Sequence, residues 1–137
     1  MPTARVTRRV HFCAGHRLHN PAWDDERNRA TYGLCNNPNG HGHNYDLEVT
    51  VEGDVDPETG YVMDLKRLKS LLGTAVLEDL DHANLNVDVP WLEDVVPTTE
   101  NLALAIWRRL EERVGDVRLV SVRLWETERN MVEYRGG

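Results

Sequence analysis

Two cysteines are too few for a disulfide framework in a chain of 137 residues. Cys13 and Cys35 therefore read as thiols of a reducing compartment, although a single bridge between them stays open at this level. Long apolar runs are also missing. No stretch approaches the roughly 18 apolar residues of a membrane-spanning helix. Residues 1–16, MPTARVTRRVHFCAGH, are basic but hold no apolar segment, so no signal peptide is expected and the compartment is read as cytoplasmic. Positive charge is not in excess: the formal net charge is -7 and the pI about 5.3. That balance argues against non-specific binding to nucleic acid or to an anionic membrane. Repeats, low-complexity tracts and linkers are absent, so residues 1–137 are read as one domain, long enough to bury a core. No dinucleotide-binding glycine fingerprint is present.

What is present is a strongly patterned α+β sequence. Residues 4–14 are rich in β-formers and read as a strand. Residues 15–43 are irregular, with a short helix expected around AWDDERNRA; so long an irregular segment in a small domain usually carries function. Residues 44–53 alternate: Tyr45, Leu47, Val49 and Val51 face one way, Asp46, Glu48, Thr50 and Glu52 the other. Asp64 can cap a helix reaching about Leu80, with Leu65, Leu68, Leu72, Val76 and Leu80 on its apolar face. Thr98 or Thr99 can cap another, carrying Leu102, Ile106, Leu110 and Val114 and stopped by Gly115. Residues 116–126 alternate again, with Val120, Val122 and Leu124 on one face, and 130–135 form a last strand. The order ββααββ predicts a four-stranded antiparallel sheet with two helices on one face. Its open edges call for cover or for pairing between copies.

CNNPNGHGHNY, residues 35–45, gathers a thiol and two imidazoles in turn-forming sequence. His41 and His43, two apart at the start of a strand, project to one face. His16, at the end of the neighbouring strand, can supply a third imidazole. Three neutral histidines suit zinc and leave one tetrahedral position open, as catalytic sites do. Solvated loop histidines are the ordinary alternative, and His11 and His19 compete as ligands. Cys35 can be a small buried hydrophobe, a fourth zinc ligand, or a base, since a thiol beside a metal ion or imidazole can be activated. Asp81 and His82 are adjacent and not expected to bond each other, yet both can address a third group such as a thiol. The plainer reading is a histidine meeting the helix C-terminal dipole. Glu126 follows the parity of Val122 and Leu124; an inward carboxylate there needs a partner such as a guanidine-like ligand, unless the strand has already ended.

Six segments in order, FCAGHRLHNP, LCNNPNGHGHNY, DPETGYVMDL, LDHANLN, DVVPTTEN and WETERN, resemble the 6-pyruvoyl tetrahydropterin synthase family over about residues 6–135. Five residues separate Cys35 from His41, which is similar to the pyruvoyl branch rather than to the carboxytetrahydropterin synthases. The resemblance implies zinc on His16, His41 and His43, Cys35 as base, and Asp81 with His82 as a proton relay from a neighbouring subunit. It implies that Glu126, helped by the Thr98–Thr99 backbone, anchors the pterin. The implied activity is conversion of 7,8-dihydroneopterin triphosphate to 6-pyruvoyl tetrahydropterin with loss of triphosphate, in tetrahydrobiopterin biosynthesis. The alternative is the 6-carboxytetrahydropterin reaction on the same substrate, in queuosine biosynthesis. The implied architecture is the tunnelling fold: trimers closing a twelve-stranded barrel, stacked in pairs as a homohexamer.

Overall fold

The computed structural model describes residues 1–137 throughout. Two long strands, β1 (Thr3–His16) and β2 (His41–Asp54), pair antiparallel from Thr3↔Asp54 to His16↔His41. Between them lie α1 (Asp25–Tyr32), capped by Asp24, and a 3-10 turn, Gly33–Asn36. After β2 come α2 (Leu65–Leu72), a π-helical stretch Gly73–Leu77, and α3 (Glu78–Leu80). β3 (Ala83–Asn84), α4 (Thr99–Glu111), β4 (Arg118–Trp125) and β5 (Met131–Tyr134) complete the chain.

The sheet runs β3-β1-β2-β4-β5 and has five strands, one more than the four predicted. The fifth is β3, two residues parallel to β1 at Ala14 and Gly15. His82 N donates to Cys13 O at 2.6 Å and Leu85 N to Gly15 O at 2.8 Å, which draws DLDHANLN onto the β1 edge. Two residues are too few to show a periodicity, so this strand leaves no pattern in the sequence.

One face of the sheet carries the core. Tyr45, Leu47, Val49 and Val51 of β2 are each 0% exposed. Phe12, Val122 and Leu124 flank them on the neighbouring strands, and Leu68, Leu72, Val76 and Leu80 close over them together with Leu102, Ile106 and Leu110 of α4. Burying each of these side chains contributes on the order of 1.5–3 kcal/mol.

Two details differ from the predicted pattern. Leu65 is 47% exposed and leaves the core to Met63, which is buried with Leu68 on either side of the Asp64 cap. That arrangement is a hydrophobic staple, one apolar residue before the cap and one a turn inside. In β4, the register against β2 shifts, so that Leu119 pairs with Val51 and Ser121 with Thr50. Val120 is the extra residue of a bulge; it is buried as expected, and Leu119 beside it joins the main core cluster as well.

The opposite face is charged. Glu52 lies between Arg5 and Arg118, and Glu48 between Arg9 and Arg123. Solvent screens exposed pairs of this kind, so they add little to stability.

Candidate active site

The core-facing stripes of three strands run past the hydrophobic core and end in polar side chains. On β2 the alternation Val51, Val49, Leu47, Tyr45 continues as His43 and His41. On β1 it continues from Phe12 and Ala14 to His16, which sits opposite His41. Glu126 follows Val122 and Leu124 just beyond the end of β4. Side-chain alternation thus delivers four ligating groups to one end of the core.

One ligand atom from each of His16, His41, His43 and Glu126 lies within 4.8 Å of the others. Ring centroids of the imidazoles are 4.7–5.0 Å apart. The expectation that the three histidines converge is met, and the fourth group in reach is Glu126. Cys35 is not a member of the cluster, so its role as a fourth ligand is not realised in this chain.

The hydrogen bonds favour cation binding. His16 is 2% exposed, and its Nδ1 lies 2.7 Å from the Pro97 carbonyl. A carbonyl only accepts, so the proton is on Nδ1 and a lone pair is on Nε2. That lone pair faces His41 Nε2 at 3.1 Å. His43 Nε2 is buried without a hydrogen bond of acceptable geometry, although Glu126 Oε1 is 2.9 Å away. Burial lowers the pKa of His16, against a smaller opposing effect of the Pro97 contact. Burial also lowers that of His43, against the Glu126 charge. Both imidazoles are therefore held in the neutral form a metal ion requires. Three imidazoles around an orphaned nitrogen fit zinc with one position left open, and Glu126 stands at the edge of the cluster.

Thr99 Oγ1 donates to Glu126 Oε2 at 3.0 Å, while Thr98 caps α4 by accepting from Asn101 N. The start of α4 therefore serves the site twice: Pro97 orients His16, and Thr99 orients Glu126. Pro97 carries no sequence signal for this role, because a backbone carbonyl looks the same at every residue.

Asp81 and His82 lie in close contact, without a hydrogen bond of acceptable geometry between them. His82 has φ +62°, a left-handed backbone conformation that brings its Nδ1 to 3.1 Å from Asp81 Oδ1. Asp81 Oδ1 accepts from Cys13 N at 3.0 Å, and this bond chiefly lowers the Asp81 pKa, ahead of the charges of His82 and His11. The His82 side chain is 82% exposed. Cys35 lies half-buried in the 3-10 turn, with its carbonyl accepting from Leu18 N at 2.8 Å. Within the chain its thiol makes no bond to Asp81 or His82; Cys13 and Cys35 are both free thiols. His11 is exposed, as its parity predicts, and Cys13 donates to Asn44 Oδ1.

Comparison with known proteins agrees with this geometry. Residues 5–137 match the family model described as 6-pyruvoyl tetrahydropterin synthase. The chain is 49% identical over 133 residues to the 6-pyruvoyl tetrahydrobiopterin synthase of Homo sapiens, covering 97% of this chain and 92% of the human one. It is 49% identical over 131 residues to that of Poecilia reticulata, covering 96% and 89%. The solved structure of Caenorhabditis elegans 6-pyruvoyl tetrahydropterin synthase superposes with a TM-score of 0.94 at 39% identity, covering 100% of this chain and 98% of that one. With motifs, strand-borne imidazoles and full-length similarity in agreement, the chain belongs to the 6-pyruvoyl tetrahydropterin synthase family.

Proposed function

We propose that this protein is a zinc-dependent lyase that converts 7,8-dihydroneopterin triphosphate to 6-pyruvoyl tetrahydropterin and triphosphate. The observation that carries the reading is the convergence of three imidazoles, with the His16 lone pair turned into the cluster, in a chain of this family. His16, His41 and His43 hold the ion. Bound zinc supplies Lewis acidity toward the substrate's side-chain hydroxyls and the adjacent C–H bonds. Cys35 removes a carbon-bound proton. The Asp81–His82 pair relays that proton, and its exposure in the single chain suits a pair that serves the site of a neighbouring copy. Glu126, oriented by Thr99, anchors the guanidine-like edge of the pterin, with the Thr98–Thr99 backbone beside it.

The free long edge of β1 supports assembly. Only Ala14 and Gly15 of β1 pair on that side, leaving Thr3–Phe12 unpartnered. Trimers joined edge to edge would close a barrel with the charged face inside, and two such rings would give a homohexamer. Its compartment is proposed to be the cytoplasm; no helix is long and apolar enough to cross a membrane.

The test offers dihydroneopterin triphosphate to the zinc-loaded protein and identifies the product by mass spectrometry. The pyruvoyl product is expected; a carboxy product with acetaldehyde overturns the assignment in favour of the 6-carboxytetrahydropterin reaction. Cys35→Ala is expected to keep its zinc and assembly and to lose turnover by at least 100-fold, as removal of a general base does. Near-normal turnover in that variant would remove Cys35 from the role of base.

A further inference from the structure

Arg17 and His19 stand on the wall of a cavity of about 970 Å³ that also exposes His16 and His41. The proposed mechanism uses neither of them. Both are fixed by one residue, Asn36, which is 4% exposed: His19 by its side chain and Arg17 by its backbone carbonyl. Asn36 Nδ2 donates to the Leu18 carbonyl at 2.7 Å, and this settles which end of the amide is nitrogen. The other Nδ2 hydrogen then meets His19 Nδ1 at 3.0 Å. Nδ1 is thereby an acceptor, and the ring proton is on Nε2. The carbonyl of Asn36 accepts from Arg17 Nε at 2.9 Å. Asn36 thus leaves two outward-facing donor sets without a partner in the chain: the Nη groups of Arg17 and the Nε2–H of His19.

The charge of the cavity makes this pair selective. Its wall holds one Arg and no Lys, together with two carboxylates, Glu93 and Asp94. With a net charge of -7, the chain repels a polyanion at long range. Any attraction must come from a few fixed donors at close range. An arginine fork matches phosphate oxygens in pairs, and an imidazole N–H adds a third, uncharged donor. Arg17 and His19 share the cavity wall with His16 and His41, whereas Glu126, the proposed pterin anchor, does not line it.

We propose that Arg17 and His19, held by Asn36, form an oligophosphate subsite that receives the triphosphate end of the substrate. The proposal rests on the functional reading above, and its failure can be told apart from the failure of that reading. Binding of inorganic triphosphate to the zinc-loaded protein is followed by calorimetry, with zinc content measured afterwards. Arg17→Ala and His19→Ala are each expected to weaken binding at least tenfold with zinc retained. With dihydroneopterin triphosphate, Arg17→Ala is expected to raise KM at least tenfold. It is expected to flatten the rise of KM with salt and to leave the inhibition constant of unphosphorylated neopterin unchanged. Arg17→Lys, which keeps the charge but loses the tether to Asn36, is expected to fall between wild type and Arg17→Ala. Equal triphosphate affinity in wild type and both alanine variants overturns the subsite, as does an equal loss of affinity for neopterin. Triphosphate binding that depends on Arg17 and His19, in a protein that does not convert the pterin, overturns the enzymatic reading and leaves the subsite standing.

Discussion

His16 shows how much one buried imidazole can be controlled. The Pro97 carbonyl sets its tautomer, and burial lowers its pKa below the ordinary value of 6.5. His43 shifts the same way, again chiefly through burial. A metal ion competes with protons for these nitrogens, so a lowered pKa lets the ion persist further into acid. Zinc release on acidification, followed with a colorimetric chelator, is expected to centre below pH 6.5. A midpoint at or above 6.5 would mean exposed, unperturbed ligands. The sign for folding agrees. In zinc-stripped protein the unfolded chain binds more protons between the depressed folded values and 6.5, so stability falls as pH falls through that window. His41 and His43 were legible as a pair because a period of two is written in the sequence. Glu126 was legible as an inward carboxylate but not as a member of the imidazole cluster. Strand parity gives a face, not the distance across to the next strand. The close approach of His82 to Asp81 was not legible at all, since His82 has a positive φ that non-glycine residues seldom adopt.

At the scale of elements, the helix after Asp64 is the informative case. Its cap and apolar spacing predicted its start and its reach to Leu80, but not the π-helical stretch at Gly73–Leu77. Widening the turn there disturbs the regular backbone ladder, and Arg109 of α4 answers it: its Nε donates to the Ala75 carbonyl at 3.0 Å. The same side chain stands 5.0 Å over the Trp91 ring and 3.4 Å from Asp79, to which Trp91 Nε1 also donates. Arg109→Ala leaves a carbonyl unpaired near the helix contact and is expected to cost about 2 kcal/mol. Thermal unfolding should fall by roughly 4–8 °C. A change under 1 °C would show that water replaces the guanidinium without loss. The bulge at Val120 belongs to the same class of feature. Alternation named Val120 as inward and it is buried, but it missed Leu119, which the register shift adds to the core, because a bulge moves parity by one and composition does not mark it.

For the whole molecule, the unpartnered edge of β1 is where the proposed assembly can be tested. On that edge Cys13 uses both its N–H, toward Asp81, and its carbonyl, toward His82. Alternation then turns the N–H groups of His11, Arg9, Thr7 and Arg5 the same way, away from β2. Thr7→Pro removes one of these edge donors and keeps the ladder to β2. Sedimentation velocity is expected to show a smaller species with an intact fold by circular dichroism. A hexamer that survives the substitution would place the joint elsewhere. The ββααββ order and the placement of both main helices over one face were readable from periodicity. The fifth strand and the charged pairing of the other face became visible only when distant segments were set side by side.

The imidazoles stand on neighbouring strands of a ladder whose hydrogen bonds run at right angles to the side chains. His16 and His41 face each other as the last rung of a pairing that begins at Thr3 and Asp54. The backbone, fastened along its length, therefore holds the ligands together, and an arriving ion has little chain to order. Its binding energy is not spent on conformational entropy, as it is where a loop folds around a metal. The protein is in this sense a receptor already shaped for its ion. Exchange of one metal for another at this site should leave the sheet unmoved.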